Sequence, residues 1–345
     1  MTLMTPKERT LRALAGAVLR DWPRFEMSLR GLGSYRQLRT PWIAMRNRDE
    51  RLTLDGRGAR CEWIYTSDLH IARMFPASGL RLLDRALGDW PIEYADSLRP
   101  ADRPDVSFVI GHRGMDRLPH LLTTLRSIAG QHGVAAECIV VEQSEHREIE
   151  SALPSWVRYI HTPLPHPGYD YNRGWAFNAG ACAARSELLI LHDNDMPAPA
   201  LYAAEALARM REGWSFLDLK RFIFYLDAGG VRVTNVLQNA LGGSIAVARD
   251  AFFDIGGFDE SFVGWGGEDN ELRERADAAG RVYAFGYLPF LHLWHEPQQG
   301  KLDGESVRRY HELRKVPAQE RIATLRARAW GSALGPSGMD RSGVR

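Results

Sequence analysis

Cysteine is scarce in this chain of 345 residues, and the three that it has show no pairing pattern. Cys61, Cys138 and Cys182 are odd in number, and no two of them have the CxxC spacing of a metal-binding or redox pair. This argues against a disulfide framework and against a zinc site. Because a chain of this kind is typical of a reducing compartment, we expect a cytoplasmic protein.

Long apolar runs are also absent. No stretch approaches the roughly 18 residues that a membrane span requires, and the best N-terminal candidate, LRALAGAVL, is short and is interrupted by Arg12. The first 22 residues still combine basic side chains with leucine, valine and alanine in the manner of an amphipathic helix. Two interpretations stay open: the helix docks on its own protein, or it contacts a membrane surface peripherally.

An excess of charge of either sign is missing as well. Lysine and arginine number 44 against 43 acidic residues, which gives a net charge of +1. This balance excludes a general electrostatic attraction to nucleic acid, so we expect no nucleic-acid partner. With 45% hydrophobic and 25% charged residues, the composition is that of a globular protein with one large domain or two smaller ones.

The sequence pattern divides the chain into three parts. Residues 1–103 form an N-terminal extension without a chemical motif, and they end in the linker-like LRPADRPD. Residues 104–301 alternate between strand and helix patterns. Residues 302–345 are predicted to form a charged helical segment to about Trp330, followed by a disordered tail, GPSGMDRSGVR.

The middle part predicts an α/β fold. VSFVI, ECIVVEQ and ELLILHDND are typical of buried strands, and helical patterns at 118–128 and in RGWAFNAGACAA separate them. This alternation predicts a Rossmann-like, mostly parallel sheet with helices on both faces and with ligands at the carboxyl ends of its strands. Further along, WSFLDLKRFIFYL, GGSIAVAR and VYAFGYLPFLHLWH are each predicted as a strand, and DNELRERADAAG as a helix that Gly280 ends.

One predicted strand runs directly into two carboxylates. In LLILHDNDMP, Asp193 and Asp195 follow the apolar residues, and Pro197 prevents the strand from continuing. His192 should face away from Asp193 because side chains alternate along a strand. Paired carboxylates at this position suit a hard divalent cation such as Mg²⁺ or Mn²⁺, although short clusters of aspartate and asparagine are also ordinary turns.

A second segment, FVGWGGEDNELRERA, places two acidic residues directly after a glycine-rich turn. Glycine lets the backbone of residues 264–267 come close to a ligand, and Glu268 and Asp269 then lie at the start of a helix. This segment resembles the acceptor-site motif of the β-1,4-galactosyltransferases and the related chondroitin-type polymerases, of glycosyltransferase families 2 and 7. The resemblance implies a GT-A fold, and with it a glycosyltransferase.

Other segments resemble the donor-binding loops of the same group, in the same order. IGHRG is similar to the first nucleotide-binding loop, with Gly111, His112 and Arg113, although Gly111 replaces the usual proline. VVEQS resembles the loop after the second strand, which implies that Glu142 contacts the uracil or the ribose. YNRGWAFNAG resembles the segment whose arginine, here Arg173, meets the diphosphate. The implied donor is therefore a UDP-sugar.

The resemblance also implies a metal site. HDND is similar to the Asp-X-Asp motif of the family, and WHEPQQGK to the segment in which a histidine completes the metal site. Asp195 and His295 would then hold Mn²⁺ or Mg²⁺, with His292 as the competing histidine. Asp193 would bind ribose or donor-sugar hydroxyls, directly or through a metal-bound water.

The implied reaction is an inverting transfer of the sugar to a hydroxyl group of a glycan or glycolipid. Asp269 would be the general base, Glu268 would hold an acceptor hydroxyl, and Trp265 would stack on a sugar. An α-linked donor would then give a β-linked product.

Other functions fit parts of the pattern. Glu268 and Asp269 could simply offset a helix dipole. A non-catalytic glycan- or nucleotide-binding protein could keep the same fold. A sugar-nucleotide pyrophosphorylase should have a lysine in the loop after its first strand, and GHRGMDR has none.

Overall fold

The structure is a computed structural model that describes residues 11–45, 50–61, 67–99, 101–238, 240–296 and 304–336. Most of the predicted disordered tail, the end of the WHEPQQGK segment and the first ten residues of the predicted N-terminal amphipathic helix lie outside the described residues. Among the residues that are described, no helix combines the length and the apolar character needed to cross a bilayer.

The described residues form eleven α-helices and thirteen strands. The helices are α1 Leu11–Gly16, α2 Trp22–Arg30, α3 His70–Met74, α4 Pro76–Asp89, α5 Leu118–Ala129, α6 Arg173–Ala183, α7 Tyr202–Arg211, α8 Arg249–Asp254, α9 Glu268–Ala279, α10 Glu305–Leu313 and α11 Ala318–Arg326. The strands are β1 Glu50–Leu52, β2 Ala59–Cys61, β3 Ser67–Asp68, β4 Val106–His112, β5 Ala136–Ser144, β6 Val157–Pro163, β7 Leu188–His192, β8 Phe216–Leu217, β9 Lys220–Leu226, β10 Val233–Gln238, β11 Ser244–Ala248, β12 Val282–Tyr283 and β13 Leu288–His292.

A seven-stranded sheet in the order β12-β8-β11-β7-β4-β5-β6 forms the centre of the protein. All neighbouring strands in it are parallel except the two pairs that include β11. Phe108 and Val109 are consecutive in β4, and both are fully buried because helices cover both faces of the sheet. Helices α5 and α7 pack on the side of Phe108, and α6, α8 and α9 pack on the side of Val109. The predicted α/β class with a mostly parallel sheet is confirmed.

The carboxyl ends of β4, β5 and β7 lie together at one edge of this sheet. Ile110 is in register with His192, and His112 is in register with Glu142. The loops that follow these three strands therefore meet in space, as the topology of parallel strands requires.

A second, four-stranded sheet has the order β13-β9-β10-β3. It combines one strand from the N-terminal extension with three strands from the second half of the chain. Its strand β3 comes from the N-terminal extension, and Trp42 packs its indole 6.0 Å from the ring of Phe222 in β9. The guanidinium of Arg221 forms a fully buried ion pair with the carboxylate of Glu50, at 2.8 Å. The boundary at residue 103 stays a prediction, but residues before it share this sheet with residues after it.

Two of the predicted strands are wrong in their extent. WSFLDLKRFIFYL was expected to form one strand, but β8 belongs to the seven-stranded sheet and β9 to the four-stranded sheet. VYAFGYLPFLHLWH divides in the same way into β12 and β13. Apolar patterning cannot reveal these changes of sheet, because every segment involved is buried or half-buried on either side of the break.

Candidate active site

A buried histidine forms a hydrogen bond that holds the turn after β7 in place. His192 faces away from Asp193, as predicted, and its Nε2 donates to the carbonyl of Met196 at 2.6 Å. Its Nδ1 therefore accepts from the hydroxyl of Ser244, at 2.7 Å. Burial lowers the pKa of His192 to about 4, so the ring stays neutral and links the turn at Met196 to Ser244 at the start of β11.

The structure brings Asp195, His292 and His295 together. One ligand atom of each lies within 4.8 Å of the other two. The Nε2 of His295 is 3.5 Å from Oδ2 of Asp195, and the Nε2 of His292 is 4.0 Å from Oδ1. Residues one hundred positions apart in the chain thus converge, and both of the histidines between which the sequence could not choose face the same carboxylate.

The chemistry of this cluster fits a divalent cation. The Nδ1 of His292 and the Nδ1 of His295 each lie within 2.9 Å of a backbone carbonyl oxygen, to which only a protonated nitrogen can bond. Each Nε2 therefore carries a lone pair toward Asp195, which is the tautomer that a metal ligand needs. Burial also lowers the pKa of His295, which keeps it neutral. Oδ1 of Asp195 is buried and has no hydrogen-bond partner within the described part of the chain.

An arginine that the sequence analysis did not select contacts the same carboxylate. Arg117 ends a short 3₁₀ helix, Met115–Arg117, that follows the loop after β4. Its NH1 donates to Oδ2 of Asp195 at 2.8 Å, and 22% of its side chain is exposed. The signal in the sequence was weak, because Arg117 is only the second arginine of the segment HRGMDR.

Arg173 connects the two acidic motifs. Its Nε donates to Asp193 at 2.8 Å, and its NH1 donates to Asp269 at 2.5 Å and lies 3.4 Å from Glu268. The HDND and GWGGED segments therefore line one site. Burial raises the pKa of Asp193 to about 6, and the positive charge of Arg173 limits this increase. Contact of Arg173 with a phosphate stays a prediction, since three carboxylates engage its guanidinium here.

The glycine-rich turn before α9 has the conformation that its sequence requires. Gly264, Gly266 and Gly267 have φ angles of 83°, 102° and 92°, which other residues rarely adopt. The turn leaves Trp265 half-buried and Glu268 buried at the start of the helix. Burial, together with the charge of Asp269, raises the pKa of Glu268 to about 7.

The loop after β4, which resembles a nucleotide-binding loop, packs against the turn after β7 through His112. Its Nε2 donates to the carbonyl of Gly114 at 2.9 Å, and its Nδ1 accepts from the side-chain amide of Asn194 at 2.8 Å. Burial lowers its pKa to about 4. A Cβ at Gly111 would lie only 2.0 Å from the hydroxyl of Tyr171, which explains glycine at the position where the family usually has proline.

Arg113 and Glu142 form hydrogen bonds with other residues of the protein in this structure. Arg113 donates to the carbonyls of Gln143 and Tyr169, at 2.9 and 2.7 Å, and so ties two loops together. Glu142 is fully buried, and its carboxylate accepts hydrogen bonds from the amide of Glu148 and the hydroxyl of Tyr159. Contacts of both side chains with a nucleotide stay predictions.

Two glycines directly before β11 lie close to two of the acidic residues. The backbone N–H of Asp193 donates to the carbonyl of Gly243 at 2.8 Å. A Cβ at Gly242 would lie 2.5 Å from Oδ2 of Asp269. The pattern GGSIAVAR predicts only a strand at these glycines, although a Gly-Gly pair is a recognisable sign of close backbone approach.

Comparisons with known proteins find similarity to glycosyltransferases. Residues 230–285 match the family model described as the N-terminal domain of galactosyltransferase, and they include the glycine-rich turn. Human beta-1,4-galactosyltransferase 4 is 31% identical over 196 residues, which are 50% of this chain and 53% of the relative.

A solved structure of GalNAc-T7 with UDP, GalNAc and Mn²⁺ is similar at a TM-score of 0.48 and 14% identity, over 64% of this chain and 50% of the other. The chain thus spans about half the length of the relatives that it matches. Over the matched residues its sequence is similar to the galactosyltransferases, which confirms the resemblance inferred from its motifs.

Proposed function

We propose that this protein is a metal-dependent, inverting glycosyltransferase that moves a sugar from a UDP-sugar to a hydroxyl group of a glycan or glycolipid. The observation that carries the proposal is the placement of Arg173. By bonding to Asp193 and Asp269 at once, it joins the donor-side and acceptor-side motifs in one site. Similarity to galactosyltransferases supports the same reaction class.

Asp195, His292 and His295 would hold the cation. Two imidazoles beside one carboxylate favour a transition-metal ion such as Mn²⁺ over Mg²⁺, which prefers oxygen ligands alone. When bound, the ion supplies positive charge that stabilises the diphosphate leaving group without protonating it. Asp193, two residues before Asp195, would bind hydroxyl groups of the donor.

On the acceptor side, Asp269 would take the proton from the attacking hydroxyl. The new glycosidic bond forms at the anomeric carbon while the bond to the diphosphate breaks on the opposite face, so an α-linked donor gives a β-linked product. Arg173 orients the Asp269 carboxylate by donating a hydrogen bond to its Oδ1. Glu268 would hold the acceptor, and Trp265 would stack on a sugar ring.

A panel of donors tests the proposal. The purified chain is incubated with glycan and glycolipid acceptors and with UDP-galactose, UDP-glucose and their N-acetyl and uronic acid relatives, with Mn²⁺ or with EDTA, and UDP release is measured. We expect release from one or two donors that depends on Mn²⁺ and is lost in Asp195→Ala, with a β-anomeric product by NMR. Binding of UDP-sugars without release on any acceptor tried would instead indicate a non-catalytic binding protein.

A further inference from the structure

We infer that residues 11–39, the N-terminal helix and the loop after it, bind the surface of a membrane that contains anionic lipids. Five of the fourteen large apolar side chains that are exposed in the described part of the chain lie within residues 14–32. They are Leu14, Val18, Leu19, Met27 and Leu32. Exposed apolar side chains that are concentrated in this way are typical of a surface that a partner covers.

The helix is attached to the protein by one side only. Residues 11–30 form a continuous helix, in which a π-helical turn connects α1 to α2. Ala17 and Phe25 are buried in the core, whereas 78% of Leu19 and 39% of Met27 are exposed. The helix thus docks on its own protein, which is one of the two interpretations that the sequence left open. Docking leaves an apolar side of the helix uncovered, and a membrane surface can contact that side.

Arginine is concentrated in the same segment. Residues 11–39 contain six arginines and two acidic residues, although the whole chain has a net charge of only +1. One of the two acidic residues, Glu26, already forms ion pairs with Arg30 at 3.1 Å and with Arg81 at 2.5 Å. The other exposed arginines of the segment are Arg20, Arg24, Arg36 and Arg39. The segment therefore carries an excess of positive charge beside its exposed apolar side chains.

This combination favours an anionic lipid surface over a second copy of the chain. Two copies that met through this segment would bring their excess positive charges together, which is unfavourable. An anionic membrane attracts basic side chains, and each one near its surface raises the affinity roughly fivefold. Leucine and methionine side chains on the same helix can enter the boundary between headgroups and acyl chains. The neighbours Leu19 and Arg20 supply one side chain of each kind.

Vesicle sedimentation tests the inference. The full chain is mixed with vesicles of phosphatidylcholine, with or without an equal amount of phosphatidylglycerol, and the bound fraction is measured at low and high salt. We expect binding to the anionic vesicles only, and weaker binding at high salt because salt screens the attraction. Leu19→Glu should reduce the affinity at least about tenfold. The double substitution Arg20→Gln with Arg24→Gln should reduce it about 25-fold.

Two matched controls change the same residue types elsewhere on the surface. Leu54→Glu alters a fully exposed leucine between β1 and β2, and Arg103→Gln with Arg211→Gln removes two exposed arginines. Both controls should bind the vesicles as the wild type does. Urea unfolding of every variant should match that of the wild type, because each changed side chain is exposed.

Two results would overturn the inference. One is equal binding of the wild type to both kinds of vesicle, or unchanged binding of the Leu19 and arginine variants. The other is a dimer in sedimentation velocity that Leu19→Glu dissociates, without vesicle binding, which would assign the surface to a second copy of the chain. The proposed function would stand in either case, since residues 11–39 contribute no side chain to the candidate active site.

Discussion

Substitution of Asp269 by asparagine separates catalysis from binding at this site. Asparagine has the same shape as aspartate, and its amide oxygen can still accept the hydrogen bond that NH1 of Arg173 now donates at 2.5 Å. What the side chain loses is the ability to take a proton from the acceptor. We therefore expect turnover to fall about 10²- to 10⁴-fold, which corresponds to about 3 to 5 kcal/mol in activation free energy.

Donor binding should survive the substitution, because the neighbouring charges compensate. Three carboxylates surround Arg173, and Asp269→Asn removes one of them. Burial and then the charge of Asp269 raise the pKa of Glu268 to about 7, so loss of that charge should lower it and leave Glu268 more fully ionised. The net charge around Arg173 then changes by less than one unit, and we expect the dissociation constant for UDP with Mn²⁺ to change less than about threefold.

The assay is single-turnover transfer from the best donor, with UDP affinity measured on the same protein. Asp277→Asn is the matched control, because Asp277 lies on the same helix in an exposed ion pair with Arg273 and should leave both quantities unchanged. Turnover of Asp269→Asn within about threefold of the wild type would remove Asp269 as the base, since a missing general base costs far more. Loss of UDP binding in step with turnover would show that the carboxylate holds the donor instead.

Three further outcomes follow from the structure. His292→Ala and His295→Ala should each weaken Mn²⁺ binding at least about tenfold, measured by titration; a normal affinity in either variant would exclude that histidine as a ligand. The pKa of Glu268, about 7, lies above its ordinary 4.5, so the folded protein binds more protons between these values and its free energy of unfolding should fall as pH rises through this range. The free energy of unfolding, measured with urea at about pH 5 and about pH 8, should fall less between these pH values in Glu268→Gln than in the wild type. An identical fall in both proteins would refute the raised pKa of Glu268. Arg221→Met, which removes the guanidinium that bonds to the buried carboxylate of Glu50, should lower the free energy of unfolding by about 3 to 5 kcal/mol, and a loss under about 1 kcal/mol would contradict the packing described.

The sequence predicted those parts of the fold that local patterns encode. β4, β5 and β7 each have an apolar centre, and their residues are buried on both faces, which is the pattern of a parallel sheet. The helix α9 was predicted with its end at Gly280, which is its C-terminal cap. Pairing between strands is not local, however, so the division of WSFLDLKRFIFYL between two sheets at Asp218 had no signal in the apolar pattern.

The sequence predicts the site residues that belong to a recognisable motif. It does not predict which other residues contact them. The convergence of Asp195 and His295 followed from the resemblance, and the structure places them in one cluster. The resemblance did not predict that His292 would also face Asp195, since that depends on how the end of β13 packs against the turn after β7. Likewise Arg117 meets Asp195 across a sequence separation of 78 residues, which only the fold sets.

The metal cluster sits where the two sheets of the protein meet. Asp195 follows a strand of the larger sheet, whereas His292 ends a strand of the smaller one, to which the N-terminal extension contributes β3. An ion held by both residues would connect the two sheets. Because coupling between two binding events is reciprocal, ion binding would stabilise the packing of the N-terminal residues by the same free energy by which that packing stabilises ion binding. Attachment of a segment without a chemical motif of its own would in this way influence the affinity of the proposed site for manganese.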